Sequence, residues 1–284
     1  MTSFGERSRA AVARHGRLCV GIDPHEPLLA AWGLTASAAG VRDFGLRTIE
    51  AAAGRAGFVK PQVSFFERFG AAGLAALEEV LAAGRAAGLL VIADAKRGDI
   101  GSTMDAYAAA WLTPGAPFEA DALTVSPYLG VGALSGAFDL AHAHDKGVFV
   151  LAATSNPEAA AVQRATTAEG RTVSGEVAAD IAARNALVTD EGSWGSIGLV
   201  IGATVDWRDA GLAPFSPPAP ILAPGFGHQG ARPDRLTEVY GRMSSTVIAS
   251  ESRSILSAGP DGIADAIAAA AAAYAHAAEG SPDV

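Results

Sequence analysis

A single cysteine, Cys19, stands in 284 residues, so the chain can form neither an intramolecular disulfide nor a cysteine-based zinc cluster. That usage fits a reducing compartment, and Cys19 itself reads as a small buried strand residue. Basic charge is also scarce. Twenty-one Lys and Arg against 30 Asp and Glu leave a formal net charge of −9, which argues against a nucleic-acid polymer or an anionic membrane as partner. An anionic small molecule would need a local cationic pocket. No apolar run reaches the roughly 20 residues of a membrane-spanning helix. The alanine-rich stretch from Ala264 to Ala278 includes Tyr274 and His276, and it reads as a terminal helix followed by a loose tail over 279–284. Met1 to Arg17 is charged and polar, without the apolar segment of a signal peptide or anchor, so the expected location is cytoplasmic. Several motifs are missing too. Without G-x-G-x-x-G after the first strand, a P-loop or H-E-x-x-H, the dinucleotide, nucleoside-triphosphate and zinc-hydrolase classes lose support. The histidines, His15, His25, His142, His144, His228 and His276, show no metal-site spacing, and no G-x-S-x-G elbow supports a serine triad.

What is present is apolar and periodic. Half the residues are hydrophobic, enough for a large core in one big domain or two ordinary ones. Short β-type runs cover Leu18–Asp23, Gly57–Val63, Leu89–Lys96, Ala122–Ser126, Gly147–Ser155, Ile197–Thr204, Ile221–Gly225 and Thr246–Arg253. Between them lie helical or turn-rich stretches such as Thr35–Ala53, Phe66–Ala87, Thr103–Leu112, Val131–His144, Ser174–Val188 and Arg232–Arg242. Strict alternation implies parallel strands covered by helices. Eight repeats favour a single α/β domain over 1–284, a (β/α)8 TIM barrel with an N-terminal helical extension over about 1–17. A doubly wound open sheet is the alternative. In a barrel the active site lies at the C-terminal strand ends, and Asp23, Lys60, Asp94, Lys96, Ser126, Ser155, Thr204 and Arg253 fall at or near those ends.

The most informative segment is Asp94-Ala95-Lys96-Arg97-Gly98-Asp99, at the end of the apolar run Leu89 to Ala93. Side chains two apart on a strand share a face, so Asp94 and Lys96 point the same way. Opposite charges at the mouth of an apolar core persist only when partnered. With Asp99 as a second carboxylate, Lys96 becomes an ammonium held protonated between two acids, a general acid in waiting. The plainer alternative is a structural ion pair with Asp99 capping the next helix. Two segments read as active-site loops. One is the long, polar stretch Asn156 to Val173. The other is Pro224-Gly225-Phe226-Gly227-His228-Gln229-Gly230, whose glycines let backbone amides approach a ligand, near Arg253, which suits phosphate. Taken singly, Arg253, Lys60 and Asp23 are explained as a solvated charge, a snorkelling lysine and a turn residue. Jointly those explanations require several strands to place a charge at the same end independently.

These residues resemble the orotidine 5'-phosphate decarboxylase family over essentially the whole chain. The resemblance is carried by Asp94-x-Lys96-x-x-Asp99-Ile100-Gly101-x-Thr103, with Gly21-Ile22-Asp23, Val59-Lys60, Ser155-Asn156-Pro157, Pro224-Gly225-x-Gly227-x-Gln229-Gly230 and Arg253 in the same order. It implies a barrel homodimer that decarboxylates a nucleotide without cofactor or metal. Asp94, Lys96 and Lys60 would form the charged network of one subunit, with Asp99 and Thr103 reaching in from the other. Asp23 and Lys60 would hold ribose hydroxyls, Ser155 would read the pyrimidine edge, and Gln229 and Arg253, with Pro224 and Gly227 of the glycine loop, would hold the phosphate. Lys96 would donate the proton. The connection after the fifth run is longer than in compact members, as in a longer bacterial subgroup, and leaves Ser126 as a competing pyrimidine contact. Magnesium-dependent enzymes of keto-sugar phosphates share D-x-K-x-x-D but carry an acidic ligand in place of Lys60. A non-catalytic sugar-phosphate sensor would use the same scaffold without turnover.

Overall fold

Each of the β-type runs contains a strand in the computed structural model, which describes residues 2–279. The strands are β1 (Leu18–Ile22), β2 (Phe58–Pro61), β3 (Leu90–Arg97), β4 (Ala122–Val125), β5 (Gly147–Ala153), β6 (Ile197–Ile201), β7 (Ile221–Pro224) and β8 (Val247–Glu251). They close into a barrel in sequence order, every neighbouring pair parallel, with β8 pairing back onto β1. Closure excludes the open doubly wound sheet. The expected tail beyond residue 279 lies outside the described residues; Glu279 ends the final helix, Gly259–Glu279.

The covering helices follow from apolar spacing and caps. In Ala38–Ala52 the buried positions Val41, Phe44, Thr48, Ile49 and Ala52 fall on one face, and the Ser37 hydroxyl accepts from the Gly40 amide at 3.1 Å. The 202–220 connection between β6 and β7 holds no helix. Pro214, Pro217, Pro218 and Pro220 crowd its second half, where each removes an amide donor and disfavours helix.

Period-two alternation builds the interior in layers. One inward residue per strand, Cys19, Phe58, Ile92, Ala122, Phe149, Val200, Leu222 and Ile248, forms an apolar ring. Two residues further along their strands stand Lys60, Asp94, Thr124, Leu151, Pro224 and Ser250, so a mostly polar ring sits above the apolar one. The N-terminal face is closed by the helix Phe4–His15. Phe4 joins the apolar ring and meets Phe149 edge-on, ring centroids 5.9 Å apart. Gly147 makes room for it, since a Cβ there would fall 2.2 Å from the Phe4 ring. Arg7 fastens the helix through an ion pair with Asp121 at 2.6 Å. The segment expected as an extension is therefore a plug in the barrel floor.

Candidate active site at the open end of the barrel

A cleft of about 240 Å³ opens at the C-terminal strand ends and takes side chains from all eight strands or the residues just after them. Asp23, Lys60, Asp94, Lys96, Pro224, Gln229 and Arg253 all line it. A second cavity, about 320 Å³, lies at the opposite face between the N-terminal helix and the helices Ser135–Ala143 and Val173–Ala186. Its arginine, Arg184, is already paired with Asp139, and the other charged residues of its lining, Glu6, Asp145 and Asp190, are all acidic.

Asp94 is the hub of the cleft. Its Oδ2 accepts from Lys60 Nζ at 2.7 Å and from Gln62 Nε2 at 3.3 Å, while Oδ1 accepts from Lys96 Nζ at 2.5 Å and Thr124 Oγ1 at 3.0 Å. Both Lys60 and Asp94 are only 6 % exposed. Burial alone would raise the Asp94 carboxyl and lower the Lys60 amine. Instead the charges and hydrogen bonds of Lys60 and Lys96 hold the carboxyl well below the usual carboxylate range. In the same way, the charges of Asp94 and Asp23 lift the Lys60 amine above the usual lysine range. Lys60 and Asp94 are therefore both ionised at neutral pH, and Lys96 is the member of the chain most open to solvent. Beneath them the Cys19 thiol, wholly buried, is pushed up to about 12 by burial first and is an inert part of the floor.

The backbone that presents Lys96 is irregular. Lys96 has φ 48°, a left-handed conformation that costs a residue with a Cβ about 1–2 kcal/mol. The β3–β4 register shifts between Ala93 and Arg97, so the two-residue spacing to Asp94 spans a bulge rather than a regular strand. Asp94 and Lys96 still meet as their spacing implied.

Asp99 departs from the expectation of a lysine between two acids of one chain. Its Oδ1 accepts from the Ile100 amide at 2.8 Å, just before the helix Gly101–Leu112, and neither Asp99 nor the exposed Thr103 lines the cleft of this chain. Asp99 lies two residues beyond the end of β3, and its carboxylate is engaged with the backbone ahead of the next helix rather than with Lys96. Ser126 and Ser155 also fall outside the lining, as does Gly227; the residue before Ser155, Thr154, is inside it. The long 156–173 segment folds beside the cleft, where Gln163 bonds the Thr154 amide at 2.8 Å and donates to its hydroxyl at 3.0 Å. In the glycine loop Gly227 has φ 67°, and a Cβ there would stand 2.5 Å from Ser254 Oγ and 2.6 Å from Glu251 Oε2. Only glycine fits.

Sequence reasoning missed Gln62, Thr124, Ser250, Ser252 and the apolar wall of Leu151, Val200 and Leu222, all in the lining. Counting two residues on from each apolar-ring position would have found Thr124, Leu151 and Ser250. The cleft also holds open valences. Asp23 Oδ1 and Ser252 Oγ are buried with no hydrogen-bond partner, acceptors and donors left for a polar ligand.

Comparison with known proteins agrees with this geometry over the full barrel. The orotidine 5'-phosphate decarboxylase / HUMPS family model matches residues 16–268. An orotidine 5'-phosphate decarboxylase from Salinispora arenicola is 52 % identical over 261 residues, 92 % of each chain. One from Corynebacterium glutamicum strain R is 49 % identical over 259 residues, 91 % of this chain and 92 % of the relative. The crystal structure of a Streptomyces avermitilis protein assigned as an orotidine 5'-phosphate decarboxylase superposes with TM-score 0.92 at 45 % identity, covering 98 % of this chain and 97 % of that one. With the match running from before β1 into the last helix, and every strand that carries the cleft inside it, the chain belongs to the orotidine 5'-phosphate decarboxylase / HUMPS family.

Proposed function

We propose that this protein converts orotidine 5'-phosphate to uridine 5'-phosphate and carbon dioxide in pyrimidine biosynthesis, without metal or cofactor. The observation that carries the reading is the Lys60–Asp94–Lys96 chain of charges at the cleft base, buried at Lys60 and Asp94 and open at Lys96, with Gln229 and Arg253 of the glycine-loop end lining the same cleft. Relatives about half identical over nine-tenths of the chain are decarboxylases by name, and a lysine at position 60, where the resemblance implies an acidic metal ligand for keto-sugar phosphate enzymes, favours the same reading.

The chemistry follows from charge. When the bond from C6 to the carboxylate breaks, its electron pair stays on C6, where no neighbouring carbonyl accepts it. The barrier must therefore be lowered by charge fixed in advance. The Lys96 ammonium offsets the developing carbanion and then passes its proton to C6, regaining one from solvent after carbon dioxide leaves. Asp94, held ionised by two lysines, faces the departing carboxylate, and their repulsion disappears as the neutral product forms. The apolar wall of Leu151, Val200 and Leu222 suits that neutral product better than the charged group it replaces. Asp23, whose Oδ1 is unpartnered, and Lys60 take ribose hydroxyls, and Pro224, Gly227, Gln229 and Arg253 grip the phosphate. Binding energy from the remote phosphate then organises the site. The pyrimidine edge falls to Ser155 or to Ser126.

The active unit in this reading is a homodimer in which Asp99 and Thr103 complete the neighbour's cleft. Supporting it, Ile100 is 63 % exposed, with Tyr107 also open, on the connection after β3 that carries Asp99 and Thr103, and Tyr128 is 79 % exposed, with Leu129 also open, on the connection after β4. The test of the reaction is loss of orotidine 5'-phosphate absorbance by purified protein with and without EDTA. Turnover unaffected by EDTA is expected. Tight uridylate binding without turnover would mark a sensor, and magnesium-dependent action on a keto-sugar phosphate would assign the other branch of the family.

A further inference from the structure

We infer that Thr124 is a positioning residue for decarboxylation, a clamp that holds the Lys96 backbone and the Asp94 carboxylate in one arrangement. The inference rests on the proposed role of Lys96 as proton donor. In the β3–β4 pairing, Ala93 faces Leu123 and Arg97 faces Val125, so three residues of β3, Asp94, Ala95 and Lys96, stand against Thr124 alone. A bulge of that size leaves backbone donors without ladder partners. Thr124 supplies one from its side chain. Its Oγ1 accepts from the Lys96 amide at 3.0 Å and lies 3.0 Å from Asp94 Oδ1. An ionised carboxylate only accepts, so the hydroxyl proton goes to Asp94 while the lone pairs receive the Lys96 N–H.

One buried hydroxyl, 1 % exposed, therefore ties together the two groups whose relative placement the reaction needs. It does so where Lys96 is held at φ 48°, a conformation that a side-chain-bearing residue keeps only when its surroundings fix it. Lys96 is the most solvent-open member of the charge chain, and its long side chain has many rotamers. Without the clamp the bulge relaxes toward a regular strand, and the ammonium loses its fixed approach to C6. Serine could serve in place of threonine. Valine, equal in shape, could not.

The test compares Thr124→Val and Thr124→Ser with wild type and Lys96→Ala, reading kcat for orotidine 5'-phosphate, Kd for uridylate, the melting temperature and a crystal structure of the valine variant. Thr124→Val is expected to lose about 10- to 100-fold in kcat, the scale of a hydrogen bond to a charged group, with uridylate affinity kept within about 3-fold. Thr124→Ser is expected to keep at least about half of kcat, and Lys96 in the valine variant to leave the left-handed region. Wild-type kcat in Thr124→Val, or equal losses in the serine and valine variants, would overturn the clamp while leaving Lys96 as donor untouched. A valine variant that merely melts lower, with full kcat while folded, would do the same. Turnover retained by Lys96→Ala would overturn both readings. Should Thr124→Val not fold, Thr124→Ala carries the same kcat and affinity comparison against serine.

Discussion

Asp94 receives four donors on two oxygens, and that saturation decides what its loss does. Asp94→Asn leaves the buried Lys60 ammonium without its ion-pair partner, so a destabilisation of about 3–5 kcal/mol in urea unfolding is expected, together with loss of turnover. Wild-type turnover in this variant would remove both repulsion and lysine placement as explanations. The pH dependence has a definite sign. The folded carboxyl is depressed, so its contribution is fully present above the unfolded value of about 3.9 and fades as pH falls through and below it. The Lys60 amine is raised, so its contribution is present below about 10.4 and fades as pH rises toward and through the folded value. The stability gap between wild type and Asp94→Asn should therefore be full near pH 5 to 6 and shrink below about pH 4. A gap that widens on acidification contradicts the assignment. Asp94, Lys96 and Lys60 were legible in the sequence because a charge at the end of an apolar run has few harmless positions. The bulge was not, since Asp94 and Lys96 keep the same two-residue spacing whether the strand is regular or bulged. Thr124 was hidden for a related reason: its partners lie across a strand pair whose register the sequence does not display.

The eight strands were readable because each is a short apolar run bounded by turn residues, and the polar ring is the same period-two pattern carried one step further. Element ends were less readable. Ser126, Ser155 and Thr204 were placed on strand ends, whereas β4, β5 and β6 stop at Val125, Ala153 and Ile201. That small displacement puts Thr154 in the cleft and leaves Ser155 beside it. The plugging role of the first helix was invisible, because Phe4 and Gly147 are far apart in sequence and their fit depends on barrel closure. Phe4→Ala should lower stability by about 3–5 kcal/mol in urea unfolding while the folded fraction keeps its kcat. A kcat loss matching the stability loss in fully folded protein would mean the floor reaches the chemistry. In the glycine loop, Gly227→Ala combines positive φ with a clash against Ser254 and Glu251. It should raise KM for orotidine 5'-phosphate by at least about tenfold, with a much smaller effect on the phosphate-free nucleoside. Equal effects on both substrates would detach this loop from the phosphate.

At the scale of the whole molecule, one chain assembles the charge chain together with Gln229 and Arg253 but leaves Asp99 and Thr103 outside its own cleft. The proposed homodimer resolves that separation, and complementation tests it. Lys96→Ala and Asp99→Asn, each inactive alone, are mixed under conditions that exchange subunits. Half the dimers formed are then mixed, and each contains one site with both wild-type residues, so about a quarter of wild-type activity should return. No recovery, with subunit exchange verified, would place Asp99 outside the neighbour's site. The central claim concerns a single proton. Its most direct test sets Lys96→Ala beside wild type at saturating orotidine 5'-phosphate, in the presence of EDTA, with uridylate binding measured on both. The expected result is turnover by the wild type alone, with both proteins binding uridylate. Decarboxylation by Lys96→Ala at a rate near wild type would contradict the account.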